Sequence, residues 1–171
     1  MSEQEPSLNY KLSVDPTPMP KDIPQVDEVG ATSGPLYSAA YFIGARCKPY
    51  NDDFILCKEE AQGKGEIDCL KEGRRVTRCA SSVIKDINAH CAESFKLHYT
   101  CMNEHNMEYF ECRKAETLLR KCVFDNLKLD KHIPDAEGEQ VHLKKNPMYK
   151  PIYTYMPQEL AYEKAEKEGK I

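Results

Sequence analysis

Between residues 47 and 124 apolar residues and cysteines recur at helical spacing, with scattered charges and few β-branched runs. Tyr50, Phe54 and Cys57 fall at i, i+4 and i+7. Leu97 precedes Cys101 by four, and Tyr109 precedes Cys112 by three. Each set shares one helix face and predicts packing between helices. Two turn signals interrupt the pattern, Gln62-Gly63-Lys64-Gly65 and Asn103-Glu104-His105-Asn106. Pro49 lies in the first cysteine interval, and proline costs about 3 kcal/mol in a helix interior. That places Pro49 in the first turn of a helix running to about Ala61, with Cys47 at or just before its start.

The flanks have a different texture. Residues 1–35 hold Pro6, Pro16, Pro18, Pro20, Pro24 and Pro35 among acidic and small residues. They predict an extended, proline-rich arm, or equally a plain linker. Residues 36–46 are mildly apolar and predict a short lead-in helix. Beyond 124 the chain is polar again. The stretch from Asn146 to Pro157 reads as an extended adhesive strip, followed by a charged helix from Gln158 to Lys167.

The cysteines carry the strongest signal. Cys47, Cys57, Cys69, Cys79, Cys91, Cys101, Cys112 and Cys122 form four Cys-x9-Cys units, separated by 11, 11 and 10 residues. Ten helical residues advance about 15 Å, whereas a disulfide needs Cα atoms roughly 4.4–6.8 Å apart. Each cysteine must therefore pair with another helix. In an antiparallel hairpin, residues at one level share a constant index sum. Cys47 with Cys79 and Cys57 with Cys69 share the sum 126; Cys91 with Cys122 and Cys101 with Cys112 share 213. One rival survives this test, because Cys79 with Cys91 and Cys69 with Cys101 share 170. The turn signals decide against it, since residues 80–90 contain no Gly or Pro and read as continuing helix.

That continuity predicts one rod from about Glu66 to Met102, roughly 55 Å long at about 1.5 Å per residue. Its four cysteines fall within an arc of about 120° at about 100° per residue, so both flanking helices dock on one side. The first helix would cover one half of the rod and the fourth the other, with their outer ends meeting near the middle. Two hairpins hinged near Asn88-Ala89-His90 are the competing picture. The fold class is all-α in either case: two disulfide-stapled antiparallel hairpins, residues 47–80 and 91–124, joined by a helical connection at 81–90. Extended arms flank them, the second spanning 125–171 with its short terminal helix.

Composition explains why staples are needed. Ile, Leu, Val and Phe together number 33 of 171 residues, 19%, and Trp is absent. That is the range where burial stops offsetting chain entropy. All eight cysteines fall within the 76 residues 47–122, the density of a disulfide scaffold. Each bridge contributes about 2–4 kcal/mol.

Charge narrows the partners. Residues 1–46 carry 3 basic and 6 acidic groups, residues 47–122 carry 13 of each, and residues 123–171 carry 8 and 9. No region has the basic excess of a nucleic-acid or polybasic membrane contact. Glu3 and Glu5 precede any basic residue and no apolar h-region follows, so the start reads as neither secretory signal nor transit peptide. Ser2 excludes N-myristoylation. The run from Tyr37 to Ala45 is far short of the ~20 residues of a membrane span.

Little in the sequence points to catalysis. Cys-x-x-Cys, phosphate-binding glycine loops and nucleophile elbows are absent. Structural zinc wants ligands close in sequence, and cysteines about 15 Å apart on one helix cannot share an ion. His98, Cys101 and His105 fall at i, i+3 and i+7, a face that could bind metal. The plainer reading places Cys101 in a bridge and both histidines in solvent. No catalytic residue, metal or cofactor is expected.

Repeated Cys-x9-Cys hairpins resemble the coiled-coil-helix-coiled-coil-helix (CHCH) family of the mitochondrial intermembrane space. The quadruple form with long polar arms resembles its nineteen-kilodalton accessory-subunit branch in respiratory complex I. The agreement lies in Pro49, Phe54-Ile55-Leu56-Cys57, Cys69-Leu70-Lys71-Glu72-Gly73 and His90-Cys91-Ala92-Glu93, within residues 47–124. The resemblance implies a non-catalytic subunit on the intermembrane-space face of the membrane arm. It would be peripheral to the inner membrane and would contact other complex I subunits, with arms that clamp its neighbours. A free intermembrane-space assembly factor or scaffold is the alternative. The resemblance also implies transient contact with the oxidative import machinery, which reads a cysteine beside an aromatic or apolar face. Cys57 with Phe54 and Tyr50 is the preferred docking site, and Cys101 beside Leu97 the second.

Overall fold

The computed structural model describes residues 18–62, 65–131 and 157–171. The expected proline-rich arm up to residue 17 and the strip at 146–156 lie outside these. Among the described residues there are five helices and no strand: α1 (Ser33–Glu60), α2 (Gly65–Asp68), α3 (Leu70–Glu104), α4 (Arg113–Leu127) and α5 (Pro157–Lys167). α1 and α4 run antiparallel to α3, and α5 lies against α4.

α1 corrects the sequence reading in two ways. It has no boundary at Pro49, and the 36–46 lead-in is its first half, starting at Ser33 with Pro35 in its first turn. A first-turn proline removes no helical hydrogen bond, so Pro35 belongs to the helix and not to the arm. Pro49 sits in the interior. Pro49 and Ala45 are both exposed, so water can reach the carbonyl that lacks its N–H partner. Ser38, Ala39 and Phe42 are buried upstream on the same axis as Cys47, and their packing against α3 carries the helix through.

This length changes the expected layout. α1 runs past the middle of α3 and along its second half, where Ser38 Oγ lies 2.7 Å from His98 Nδ1. It does not stop to meet α4 end to end. Around α3 it forms a three-helix layer with α4, and the core lies between them: Ala39, Phe42, Val83, Ile84, Ile87, Phe95, Leu119 and Val123.

α3 is continuous through residues 80–90, starting and ending slightly later than the expected rod. It kinks one residue beyond that stretch, where Cys91 leaves the helical region (φ −133°, ψ 29°). Side chains compete for the ladder there. Asn88 Nδ2 donates to the Ile84 carbonyl at 3.0 Å, and Ser94 Oγ to the Cys91 carbonyl at 3.1 Å. Such back-bonding bends helices. The second turn also moves, from the expected 103–106 to 105–112, with Asn106 and Met107 at positive φ.

Candidate functional site

Four disulfides staple the hairpins. The structure joins Cys47 to Cys79, Cys57 to Cys69, Cys91 to Cys122 and Cys101 to Cys112, each with Cα atoms 5.9 Å apart. Where α1 passes the middle of α3, ahead of the kink at Cys91, Arg46 Nη1 meets Asp86 Oδ2 at 2.6 Å.

A polar and aromatic knot holds the second hairpin to α1. Tyr41 and Tyr109 meet edge to face at 5.9 Å. The Lys131 ammonium sits 4.0 Å from the Tyr41 ring centre and 5.3 Å from that of Tyr109, bonded to Glu116 Oε1 at 2.5 Å. Burial pushes the Glu116 carboxyl up, but the Lys131 bond and the Lys131 and Arg113 charges outweigh it and hold it below the usual carboxylate value. Burial likewise pulls the Lys131 ammonium down, opposed by Glu116. The segment leaving α4 is thereby tied to α1 and α4 together. Further along, Lys114 pairs with Glu159, and Gln158 Nε2 donates to the Glu111 carbonyl at 3.2 Å, which seats α5.

His98 is a correction. It is not in solvent but 1% exposed, its Nδ1 on Ser38 Oγ and its Nε2 without a hydrogen-bond partner among the described residues. Burial lowers its pKa from 6.5 to about 4; Glu116 opposes this, while Lys131 and Arg113 add to it. Its signal lay in the register, since Ile84, Ile87, Cys91, Phe95, His98 and Met102 form one stripe at spacings of three and four. A histidine on such a stripe is a core residue. His105 is half-withdrawn as well, with Nε2 3.1 Å from Glu111 Oε2. The expected face of His98, Cys101 and His105 therefore splits. Cys112 takes the place of His98, and Cys101 Sγ, His105 Nδ1 and Cys112 Sγ lie within 4.8 Å of one another.

The aromatic faces beside cysteines differ in access. Tyr50 is exposed, whereas Phe54 is half-buried over Gly73, where an added Cβ would stand 3.3 Å from the ring. Gly73 thus makes room for Phe54. Cys57 is partly exposed beside it. Leu97 lines a groove with His90, Cys91, Leu118, Cys122 and Ala161, while Cys101 itself is buried. Ile55, Leu56 and Ile67 extend the exposed apolar end of the first hairpin, at 46%, 54% and 58% exposure. No described helix is long and apolar enough to cross a membrane.

No protein-family model matches the chain. A Neurospora crassa protein named NADH-ubiquinone oxidoreductase 20.8 kDa subunit is 56% identical over 151 residues, 87% of this chain and 82% of that one. The chain belongs to the family of that oxidoreductase subunit. Two Arabidopsis thaliana proteins, named NADH dehydrogenase (ubiquinone) 1 alpha subcomplex subunits 8-A and 8-B, are each 34% identical over 90 residues. Those matches take in 53% of this chain and 82% and 83% of theirs.

Proposed function

We propose that the chain is a non-catalytic accessory subunit of mitochondrial NADH:ubiquinone oxidoreductase, complex I, of the nineteen-kilodalton type. The observation that carries this reading is the 56% identity across 82% of the 20.8 kDa subunit. It would sit peripherally on the inner membrane, on the intermembrane-space side, where four disulfides persist. Tyr50, Ile55, Leu56 and Ile67, exposed at the first hairpin's end, suit a rigid unit packed among neighbours. Import through an intermembrane-space oxidoreductase would dock it at Cys57, Phe54 and Tyr50, with Leu97 and Cys101 second. Replacing Phe54 by Ala should then slow mixed-disulfide formation in isolated mitochondria.

Native gels of mitochondria carrying the tagged chain test the assignment. Co-migration with the band that oxidises NADH supports it; a small free species would favour the assembly-factor reading. Truncation after Lys131 tests the arms, because Lys131 belongs to the folded knot and a cut before it would damage the core. The shortened chain should fold and oxidise but associate poorly.

A further inference from the structure

Among the described residues, Cys101, His105 and Cys112 are the group whose potential metal-ligating atoms converge. Cys101 and His105 occupy the end of α3, one turn apart, and Cys112 caps α4 across the hairpin. Both cysteines are buried, in a small cluster with Met102, Met107 and Tyr109. His105 Nδ1 lies 3.5 Å from Cys101 Sγ and 3.9 Å from Cys112 Sγ. Its other nitrogen faces Glu111 Oε2 at 3.1 Å.

We infer that the reduced chain, before this bridge closes, binds one Zn²⁺ through the thiolates of Cys101 and Cys112 and Nδ1 of His105, with Glu111 orienting the imidazole. Zinc–sulfur bonds of about 2.3 Å and zinc–nitrogen bonds of about 2.0–2.1 Å put tetrahedral donors roughly 3.4–3.8 Å apart. The nitrogen–sulfur separations already have that scale. A carboxylate on the outer nitrogen of a ligating histidine is the usual way a zinc site fixes its ring. Three ligands within twelve residues, from both sides of one turn, also escape the objection that cysteines ten residues apart on a helix cannot share an ion. One corner is left for water.

Charge selects the ion. Two thiolates and a dication sum to zero, which suits buried sulfurs, whereas a monovalent soft ion would leave a net buried negative charge. Binding releases the two thiol protons and takes Nδ1 from the Cys101 carbonyl oxygen, 2.9 Å away in the oxidised chain. Oxidation expels the ion. The two thiolates give two electrons to a protein disulfide, which takes up two protons and becomes a dithiol. The new Cys101–Cys112 bond is neutral and no longer holds Zn²⁺. Zinc would thus hold the second turn closed and delay the Cys101–Cys112 bridge.

The test uses the full chain reduced with a phosphine, Co²⁺ as the spectroscopic probe and Zn²⁺ competition against a chromophoric chelator. Thiolate-to-cobalt and tetrahedral bands should appear in the reduced chain and be absent from the oxidised one. Replacing all four first-hairpin cysteines by Ser should leave this tight site in place. His105→Ala and the near-isosteric Glu111→Gln should each weaken it about tenfold or more, and His90→Ala, at an exposed position, should not. Zn²⁺ should also slow closure of Cys101–Cys112 relative to Cys57–Cys69, followed by alkylation mapping. Equal affinity in wild type, His105→Ala and Glu111→Gln would overturn the proposal, as would loss of the site with the first-hairpin cysteines.

Discussion

Toward its tip the first hairpin buries only Gly65 and Cys69 among the described residues beyond Cys47 and Cys79, and it leaves Tyr50, Ile55, Leu56 and Ile67 uncovered. The second hairpin buries Phe95, His98, Met102, Ala115, Leu119 and Val123. Both carry two bridges. The difference is the number of layers: α1 lies against the second half of α3 together with α4, while the tip of the first hairpin has α1, α2 and the start of α3 alone. Two helices give each other one apolar stripe and expose the rest, whereas a third encloses the side chains between them. Bridges therefore carry more of the ordering at the tip, as they do in small scaffolds generally.

The largest expected effect separates the two regions directly. Phe95 is 1% exposed and stacks edge to face on Tyr99 at 5.3 Å. Phe95→Ala should cost about 3–5 kcal/mol, and Phe54→Ala, at a half-buried ring, under about 2 kcal/mol. Urea unfolding of the oxidised variants measures both. Equal losses would mean that the tip is packed as tightly as the three-helix region.

Removing bridges should reverse the ranking locally. Each contributes about 3 kcal/mol by loop closure. At the tip little else remains, so Cys57→Ser with Cys69→Ser should open the segment around 57–69 to proteolysis while the core stays folded. Cys91→Ser with Cys122→Ser should lower global stability and leave a cooperative transition. A protected tip without its bridge would break the comparison.

Acid should act on the second hairpin through His98. Folded His98 remains neutral down to about pH 4, whereas the unfolded chain takes that proton near 6.5. Between those values the unfolded state binds more protons, so stability falls as pH drops through the window and is unaffected above it. The loss approaches about 3 kcal/mol at most. His98→Gln should lessen the fall of the urea midpoint between pH 6.5 and 4, leaving the part at the acid end that comes from protonating Glu116, whose folded carboxyl is held below its ordinary value.

The cysteine spacing made the hairpins legible, because a level index sum is a geometric condition that few pairings meet. The terminal helix was equally plain from Pro157 and the charged run after it. Pro49 misled for a physical reason: its local cost was visible, whereas the packing of Ala39 and Phe42 on α3 that outweighs it is tertiary. His98 is legible in its stripe, because its place in the register marks it as core although its residue type suggests the surface. The Cys91 kink depends on which carbonyls Asn88 and Ser94 find, and spacing does not encode that. Cys112 entered the histidine cluster only through the bridge partner's position, across a turn two residues later than expected.

The smallest expected effect lies where the two regions join. Arg46 and Asp86 connect α1 to α3 at 2.6 Å, between the Cys47–Cys79 bridge and the Cys91 kink. Their side chains are 28% and 45% exposed, so water screens the pair. Arg46→Met keeps the apolar stem and removes the charge, and it should cost no more than about 1 kcal/mol. Added salt should erase even that difference. A larger, salt-insensitive loss would mean that the junction, and not the third helix layer, couples the hairpins. In that case the stapled tip and the packed half would unfold together, and hydrogen exchange in α1 would rise uniformly from Ser33 to Glu60. With the pair as weak as its exposure implies, exchange should rise only toward the Cys57 end.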